Sequence, residues 1–292
     1  MQSFRYILFL LITIVLTGCN DEKPNEPDKK LDTNFENRTY LLSVPENYDV
    51  NNPSPLIFAF HGFSINANDT QRLTDLDELG KSERYIVVYP NSIEDKGYWT
   101  DGCGCYGLEE QGVDDIGYVD YLLNKIMKQY SIDTSRVYAL GISQGASFVQ
   151  HLACKRSEIF AAFSSYIGSM RELLAKTCSP QKPVNMIIMN GTLDLDARWN
   201  GLTNSSFAFL AIPDLFKKWA GFNGCTDSLS TVNLPDKVIQ IDVERIRYEE
   251  CSSNKELVLY KILRGEHLLY RNPEFDFSVE TINFFSKHKL DE

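Results

Sequence analysis

The sequence predicts an α/β fold in which a mostly parallel sheet is covered by helices on both faces. Continuous apolar runs of strand length alternate along the chain with amphipathic segments of helix length, which is typical of a sheet buried on both faces. A serine bracketed by glycines, Ser143, also stands where one apolar run ends and a helical pattern begins. Because ligands bind at the carboxyl ends of strands in such sheets, this junction is a candidate functional site.

The individual elements follow from the same patterns. Short runs rich in apolar and β-branched residues predict strands, and apolar residues at three- and four-residue spacing predict helices. Asp114 or Asp115 is expected to cap the second of the predicted helices. The predicted strands cover residues 39–44, 55–62, 85–90, 136–142, 184–191 and 257–263, and the predicted helices cover 71–82, 113–130, the segment after Gly145, and 278–288.

The N-terminus has the features of an export signal. Arg5 precedes an apolar run over residues 6–16, which is too short for a comfortable transmembrane helix and has the form of a signal-peptide core. The run ends in Leu-Thr-Gly-Cys, which resembles the bacterial lipobox and implies cleavage before Cys19 and lipid modification of its sulfur. The alternative is an ordinary signal peptide with an incidental cysteine. We therefore expect an exported bacterial lipoprotein, anchored in a membrane at the periplasmic face or at the cell surface.

Composition divides the rest of the chain into a tether and one domain. We assign residues 1–18 to the signal peptide, the polar and proline-bearing residues 19–38 to a flexible tether, and residues 39–292 to a catalytic domain. The formal net charge is −11, which argues against nucleic acid and anionic membrane surfaces as partners, since either would repel the chain.

Six cysteines follow Cys19, and an even number in an exported protein favours disulfides. We expect Cys225 to pair with Cys251, and Cys154 on the helix after the serine to pair with Cys178. The two remaining cysteines, Cys103 and Cys105, are left unassigned. A metal site built on their Cys-x-Cys spacing is disfavoured, because no histidine or second cysteine pair stands nearby at ligand spacing.

The glycine-bracketed serine fits a nucleophile elbow. Gly141-Ile142-Ser143-Gln144-Gly145 has the pattern G-x-S-x-G, in which a sharp turn between a strand and a helix exposes a serine at the top of the sheet of an α/β-hydrolase. A glycine-bracketed loop is the alternative, but the predicted strand and helix on either side favour the elbow.

A nucleophilic serine needs a base, and the base needs an orienting carboxylate; in this fold they follow in the order Ser, Asp or Glu, His. The chain has four histidines. His151 is expected to be packed on the helix behind the elbow, and His288 to face solvent between two lysines. His267 comes directly after the last predicted strand and is therefore the candidate base, while His61 is expected to shape an early loop without titrating in catalysis.

The strand over 184–191 should be followed by the carboxylate. Asp194 is nearer to the end of this strand and is the first candidate, with Asp196 as the alternative. An oxyanion also needs N–H donors, and we expect them from Gln144, after the nucleophile, and from Phe63 or Ser64 in the loop after the second predicted strand.

Several segments together resemble the esterase family of poly(3-hydroxybutyrate) depolymerases, which also contains feruloyl and acetyl-xylan esterases. The segments are "FAFHGFSINAN", "YPNS", "GVDDIGYVDYLL", "SIDTSRVYALGISQGAS", "NGTLD" and "GEH", and they occur in the family's order. The resemblance implies Ser143 as nucleophile, Asp194 as acid and His267 as base. Two departures concern the substrate: Asn190 replaces a frequent histidine before the acid, and Arg264-Gly265-Glu266 replaces a frequent run of three glycines before the base.

The expected function is therefore that of a serine carboxylic-ester hydrolase that needs no metal or organic cofactor. Its substrates are expected among hydroxybutyrate-type polyester oligomers and feruloyl or acetyl esters of polysaccharide. Trp99 and Trp199, with Tyr98 and Tyr106, either stack on an aromatic acyl group or a sugar, or belong to the core. The alternatives are a surface lipoprotein that binds glycan or polymer without catalysis, and a peptidase of the same fold.

Overall fold

A nine-stranded sheet forms the centre of the part of the chain that the structure describes, residues 34–93, 97–234, 242–271 and 275–290 of a computed structural model. The strands are Tyr40–Ser43 (β1), Ser54–Phe60 (β2), Ile86–Pro90 (β3), Ile132–Ile142 (β4), Ala162–Tyr166 (β5), Asn185–Gly191 (β6), Leu229–Asn233 (β7), Val243–Tyr248 (β8) and Leu257–Ile262 (β9).

The middle of the sheet is parallel. Its order is β1-β3-β2-β4-β5-β6-β9-β8-β7, and the six strands from β3 to β9 in this order run parallel to one another. β1 is antiparallel at one edge, and β8 and β7 form an antiparallel pair at the other. The predicted fold class, a mostly parallel sheet of the α/β-hydrolase type, is confirmed.

Helices cover both faces of the sheet, and the fully buried strand β2 shows why its sequence is continuously apolar. The helices are Ala67–Thr74 (α1), Leu76–Leu79 (α2), Asp115–Met127 (α3), Gln144–Lys155 (α4), Glu172–Thr177 (α5), Ile212–Phe222 (α6) and Phe277–Phe285 (α7). Leu56, Phe58 and Phe60 of β2 pack in one core with α3, α4 and α6, whereas Ile57 and Ala59 pack in a second core with α2 and α7.

The start of the folded domain differs from the prediction. Residues 35–37 form a turn of 3₁₀ helix, and Arg38 is buried, with its Nη2 2.6 Å from Oδ1 of Asp115 and its guanidinium 3.8 Å from the ring centroid of Tyr118. The predicted boundary at residue 39 is therefore corrected, because residues 34–38 belong to the domain and not to a tether. The predicted signal peptide, Cys19 and the rest of the tether lie outside the described residues.

Two further expectations about elements need correction or addition. The helix predicted over 71–82 is two helices, because Asp75 adopts a left-handed conformation (φ 55°) that ends α1. Asp114 caps α3 as expected, since its carboxylate accepts from the N–H of Gly117 at 2.8 Å. The sequence patterns missed β5, β7, β8, α5 and α6. None of the helices among the described residues has the length and apolar character needed to cross a membrane.

The part of the chain that the structure describes contains three disulfides. The expected pairs Cys154–Cys178 and Cys225–Cys251 are both formed. The two unassigned cysteines, Cys103 and Cys105, form the third disulfide. Their sulfur atoms are therefore bonded to each other and are not thiolate ligands, which argues against the Cys-x-Cys metal site.

Candidate active site

The serine predicted at the elbow lies in a strained turn between β4 and α4. Ser143 has φ 56° and ψ −118°, a conformation that costs on the order of 1–3 kcal/mol and is common at active sites. Its neighbours make the turn feasible. A Cβ atom on Gly141 would overlap the carbonyl group of Gly145, and one on Gly145 would overlap the carbonyl oxygen of His61. Only glycine fits at either position, because helix and strand approach too closely for a side chain.

Ser143, His267 and Asp194 form one hydrogen-bonded chain. Nε2 of His267 lies 2.9 Å from Oγ of Ser143, and Nδ1 lies 2.8 Å from Oδ2 of Asp194. These side chains come from turns at the carboxyl ends of β4, β9 and β6. In the sheet, β6 lies next to β9, and β5 lies between β6 and β4. The carboxylate fixes the tautomer in which Nδ1 carries the proton, so that Nε2 is free to accept the serine proton.

The carboxylate that bonds to His267 belongs to Asp194 and not to the alternative, Asp196. Asp194 is buried, and its second oxygen accepts from the backbone N–H groups of Asp196 at 2.8 Å and Ala197 at 2.7 Å. Asp196 is exposed at the rim of the pocket. Because both carboxylate oxygens of Asp194 have hydrogen-bond partners, the side chain is held in one orientation against the imidazole.

The remaining histidines have structural roles. Nδ1 of His61 lies 2.8 Å from the carbonyl oxygen of Gly62, and its Nε2 accepts from the N–H of Ser92 at 3.0 Å. This pattern needs the neutral ring, in agreement with burial, which lowers the pKa of His61. His151 is packed, as predicted, with Nδ1 2.6 Å from the carbonyl oxygen of Thr100.

The prediction that His288 faces solvent is wrong. Its side chain is 12% exposed, its Nε2 lies 3.0 Å from Oε2 of Glu256, and the carbonyl oxygen of His288 accepts from the hydroxyl of Tyr138 at 2.7 Å. The two flanking lysines suggested an exposed helical position, but α7 ends at Phe285 and the chain then turns back onto the sheet.

The two predicted oxyanion donors lie on the same side of the serine. Phe63 and Gln144 line one pocket together with Ser143 and His267. Neither backbone N–H has a hydrogen-bond acceptor among the described residues. Both are therefore available to an oxygen atom beside the serine.

The pocket has a volume of about 380 Å³ and an aromatic wall. The rings of Phe63 and Tyr98 stack at 4.3 Å between centroids, and those of Tyr98 and Tyr106 stack at 4.0 Å. Its other lining residues are Ser147, Ile167, Gly168, Ser169, Arg171, Asp196, Ala197 and Phe209.

The two tryptophans offered as substrate-binding residues have different positions. Trp99 is fully buried, with its ring packed against Phe60 and Phe148, so the alternative that it belongs to the core is the one the structure supports. Trp199 is half-buried and lines a second pocket of about 570 Å³ together with Asp194 and other residues of the loop after β6. The buried and the pocket-lining tryptophan could not be told apart from the sequence, because both lie in segments without helix or strand periodicity.

Arg171, which no sequence pattern predicted, lines the pocket of the serine. Its Nε lies 2.6 Å from Oδ2 of the buried Asp101, and its Nη2 donates to the hydroxyl of Tyr106 at 2.6 Å. Burial raises the pKa of Asp101, and the guanidinium opposes this rise. No motif pointed to this pair, since 70 residues separate its members.

Two clusters of side chains have the donor atoms for a metal ion. Asp101 lies with Cys103 and Cys105, and Asp194 lies with Asp196 and His267, each with donor atoms within 4.8 Å. The sulfur atoms of the first are joined in a disulfide, and in the second both ring nitrogens of His267 have hydrogen-bond partners. Neither cluster therefore offers a free set of ligands.

Comparison with known proteins places the chain in a family. The family model described as "Putative esterase" matches residues 33–208, more than half of the chain, including the serine and the carboxylate of the hydrogen-bonded chain. A bifunctional acetylxylan esterase/xylanase from Neocallimastix patriciarum is 32% identical over 54% of this chain, and feruloyl esterase D from Neurospora crassa is 24% identical over 86%. The aligned part is 21% of the first relative and 81% of the second.

Solved structures agree on the fold. An acetyl xylan esterase from Aspergillus awamori matches 88% of this chain and 98% of its own with a TM-score of 0.62, at 15% identity. An S-formylglutathione hydrolase from Agrobacterium tumefaciens matches 87% and 90% with a TM-score of 0.57, at 14% identity. On this evidence the chain belongs to the esterase family and has the α/β-hydrolase fold.

Proposed function

We propose that the chain is a serine carboxylic-ester hydrolase whose catalytic residues are Ser143, His267 and Asp194. The single observation that carries the proposal is the hydrogen-bonded chain from Oγ of Ser143 through the imidazole of His267 to the buried carboxylate of Asp194. A hydroxyl is a weak nucleophile at neutral pH, and this arrangement supplies the base and the orienting group that it needs.

The reaction proceeds in two halves. Oγ of Ser143 attacks the ester carbonyl carbon while Nε2 of His267 takes the hydroxyl proton, and the resulting oxyanion accepts from the N–H groups of Phe63 and Gln144. The C–O bond to the alcohol then breaks as His267 returns the proton to the leaving oxygen. In the second half, His267 deprotonates a water molecule, which attacks the acyl-enzyme and releases the acid and Ser143. Asp194 remains ionised throughout and holds the imidazole in place.

The pocket and the relatives favour feruloyl and acetyl esters of polysaccharide as substrates. The two relatives named above are described as acetylxylan and feruloyl esterases. The stacked rings of Phe63, Tyr98 and Tyr106 offer a flat apolar surface to an aromatic acyl group. Hydroxybutyrate-type polyester oligomers remain the second substrate class, supported by the family resemblance in the sequence.

Two other functions fit the fold and are separated from this one by experiment. A binding protein without catalysis would bind glycan or polymer but would not react with an active-site-directed fluorophosphonate. A peptidase would cleave short peptides faster than the matching esters.

We also propose that the chain is an exported lipoprotein held at a membrane by a lipid on Cys19. The lipobox-like residues 16–19 and the short apolar run before them support this proposal. Cys19→Ala should move the protein from the membrane fraction to the soluble fraction and leave ester hydrolysis intact. Membrane association that survives the substitution would refute the anchor and leave the enzymatic proposal standing.

A substrate panel tests the activity directly. p-Nitrophenyl acetate, methyl ferulate, 3-hydroxybutyrate oligomers and short peptides are assayed side by side, with Ser143→Ala as the matched control. We expect the wild-type protein to hydrolyse at least one ester class and the variant to hydrolyse none. Ester hydrolysis that persists in the purified variant would contradict the proposed nucleophile.

A further inference from the structure

The side chain of Gln144, the residue after the proposed nucleophile, is held by hydrogen bonds at both its oxygen and its nitrogen. Its Oε1 accepts from the backbone N–H of Trp99 at 3.0 Å, and its Nε2 donates to the backbone carbonyl of Trp99 at 2.8 Å and to Oδ2 of Asp101 at 3.2 Å. An amide side chain has one acceptor oxygen and two N–H donors, so every polar group of this side chain has a partner. Gln144, whose backbone N–H is proposed to bind the oxyanion, is thus also held in place through its side chain.

Trp99 also holds the other half of the oxyanion site. Its indole Nε1 donates to the carbonyl oxygen of His61 at 3.0 Å, and His61 stands two residues before Phe63, the second proposed donor. His61 in turn fixes its own loop through Gly62 and Ser92, as described above. One buried residue therefore bonds to both segments that carry the N–H donors, through its backbone on one side and its ring on the other.

These contacts of Gln144 and Trp99, called the clamp below, are supported by a buried ion pair between Asp101 and Arg171. Oδ2 of Asp101 bonds to Gln144 and also lies 2.6 Å from Nε of Arg171; the side chains of Asp101 and Arg171 are 0% and 10% exposed. The guanidinium is held further by the hydroxyl of Tyr106 and the carbonyl oxygen of Phe207. Because a buried ion pair with satisfied hydrogen bonds has few alternative arrangements, Asp101 offers Gln144 an acceptor in a fixed position.

From these contacts we infer that Trp99 and the side chain of Gln144, supported by Asp101 and Arg171, are positioning residues that set the distance between the two oxyanion donors. The inference rests on the proposed ester hydrolysis. An oxyanion site stabilises the transition state only when its donors lie about 2.7–3.1 Å from the developing charge, so a small displacement of either segment weakens it. The role of Trp99 is thus to act on the reaction through other residues, without touching the substrate.

The chain provides a matched pair of controls for this test. Gln150 and Trp219 are also fully buried, and the indole Nε1 of Trp219 donates to Oε1 of Gln150 at 2.6 Å. Neither lines the pocket of Ser143. Gln144→Met removes the hydrogen bonds of the amide side chain, whereas Trp99→Phe removes only the indole hydrogen bond to His61 and keeps the backbone groups of Trp99. As controls, Gln150→Met and Trp219→Phe each remove one partner of a buried indole–amide hydrogen bond elsewhere.

The four variants are compared with the wild type by kcat and KM on p-nitrophenyl acetate, thermal unfolding, and titration of reactive serine. Removal of one oxyanion donor costs about 10²–10³-fold in kcat, so displacement should cost about 10–100-fold. We expect this loss in Gln144→Met and Trp99→Phe, with KM changed by less than about threefold, since the lost interaction belongs to the transition state. Gln150→Met and Trp219→Phe should lose thermal stability but keep kcat within about twofold.

A transition-state analogue provides the readout that a merely structural role would not change. A trifluoromethyl ketone forms an adduct with the serine that carries an oxyanion, and its affinity should fall in the clamp variants by about the factor lost in kcat/KM. Equal losses of kcat in the clamp and control variants, or unchanged kcat and inhibitor affinity in folded Trp99→Phe, would overturn the inference. A wild-type protein that hydrolyses no ester would instead refute the proposed function, so the two failures are distinguishable; if Gln144→Met does not fold, Trp99→Phe decides.

Discussion

The two sides of the active-site pocket are built in different ways. On one side, Ser143, Asp194 and His267 each follow the carboxyl end of a parallel strand, so the sheet itself sets their positions. On the other side, the segment 97–113 lacks helix and strand and is held by the Cys103–Cys105 disulfide and by contacts with residues far away in the chain. The first side depends on local backbone geometry, and the second on long-range side-chain contacts.

Because of this difference, we expect substitutions on the two sides of the pocket to differ in their effects on activity and on stability. Substitutions on the strand-end side should remove activity and leave folding intact, because the buried sheet does not depend on these side chains. Substitutions on the segment 97–113 should affect stability as well, because its charged and aromatic contacts hold it in place.

The largest effect is expected from the nucleophile and the base. Ser143→Ala and His267→Ala should each lower kcat on the order of 10⁶-fold, and the double variant should be little worse than either, because members of such a unit act together. Steady-state kinetics on the best substrate of the panel measure this, with circular dichroism as the check on folding. Losses that multiply in the double variant would show that the two residues are not partners.

The carboxylate gives the next largest effect and separates two neighbours. Asp194→Asn should lower kcat by about 10⁴-fold, because an amide can hold the imidazole in the wrong tautomer. Asp196→Asn is the matched control, since its side chain is exposed and Asp194 contacts only its backbone N–H. The assignment of the acid fails if Asp196→Asn proves to be the more damaging substitution.

On the segment side, the buried ion pair should govern stability. Arg171→Met leaves the carboxylate of Asp101 buried without its cation, which costs about 3–5 kcal/mol in the free energy of unfolding. Urea denaturation measures the change, and Arg156→Met is a control because its partner Asp120 is partly exposed. The exposed pair should contribute about 1 kcal/mol or less. Equal effects of the two substitutions would contradict a specific role for the buried pair.

The smallest expected effect is a pH dependence of stability from His61 and His151. Burial lowers the pKa of both residues, so the unfolded state binds more protons than the folded state once the pH falls below about 6.5. The free energy of unfolding should therefore decrease as the pH falls from about 7 to 5.5. Urea titrations at several pH values measure the slope, and His151→Asn should reduce it. A slope that is flat, or of the opposite sign, would show that the two rings do not stay neutral.

The sequence predicted which side chains the hydrogen-bonded chain joins, because their positions follow from the order of the strands. Ser143 was found from its glycines, and His267 and Asp194 from their places after predicted strands. The role of Trp99 and the pair of Asp101 and Arg171 were not predictable in this way, because they depend on which distant segments meet in three dimensions.

Some elements were missed for a simpler reason, which is their composition. β5 contains two serines, Ser164 and Ser165, in a strand that is fully buried, so its sequence lacks the apolar run that marks its neighbours. Ser164 is accommodated there because its hydroxyl bonds to that of Thr281 on α7 at 2.9 Å. The edge strand β7 and its neighbour β8 have many solvent-exposed residues, and their charged and polar side chains obscure the strand pattern in the sequence.

The central claim is that Ser143 is a nucleophile activated by its neighbours, and covalent labelling tests it most directly. The purified protein is treated with a fluorophosphonate, digested, and analysed by mass spectrometry to locate the modified residue. We predict one label per chain, on the peptide that contains Ser143, and no label in Ser143→Ala or His267→Ala at the same exposure. A wild-type protein that remains unlabelled, or a label of equal extent in the Ser143→Ala variant, would contradict the account.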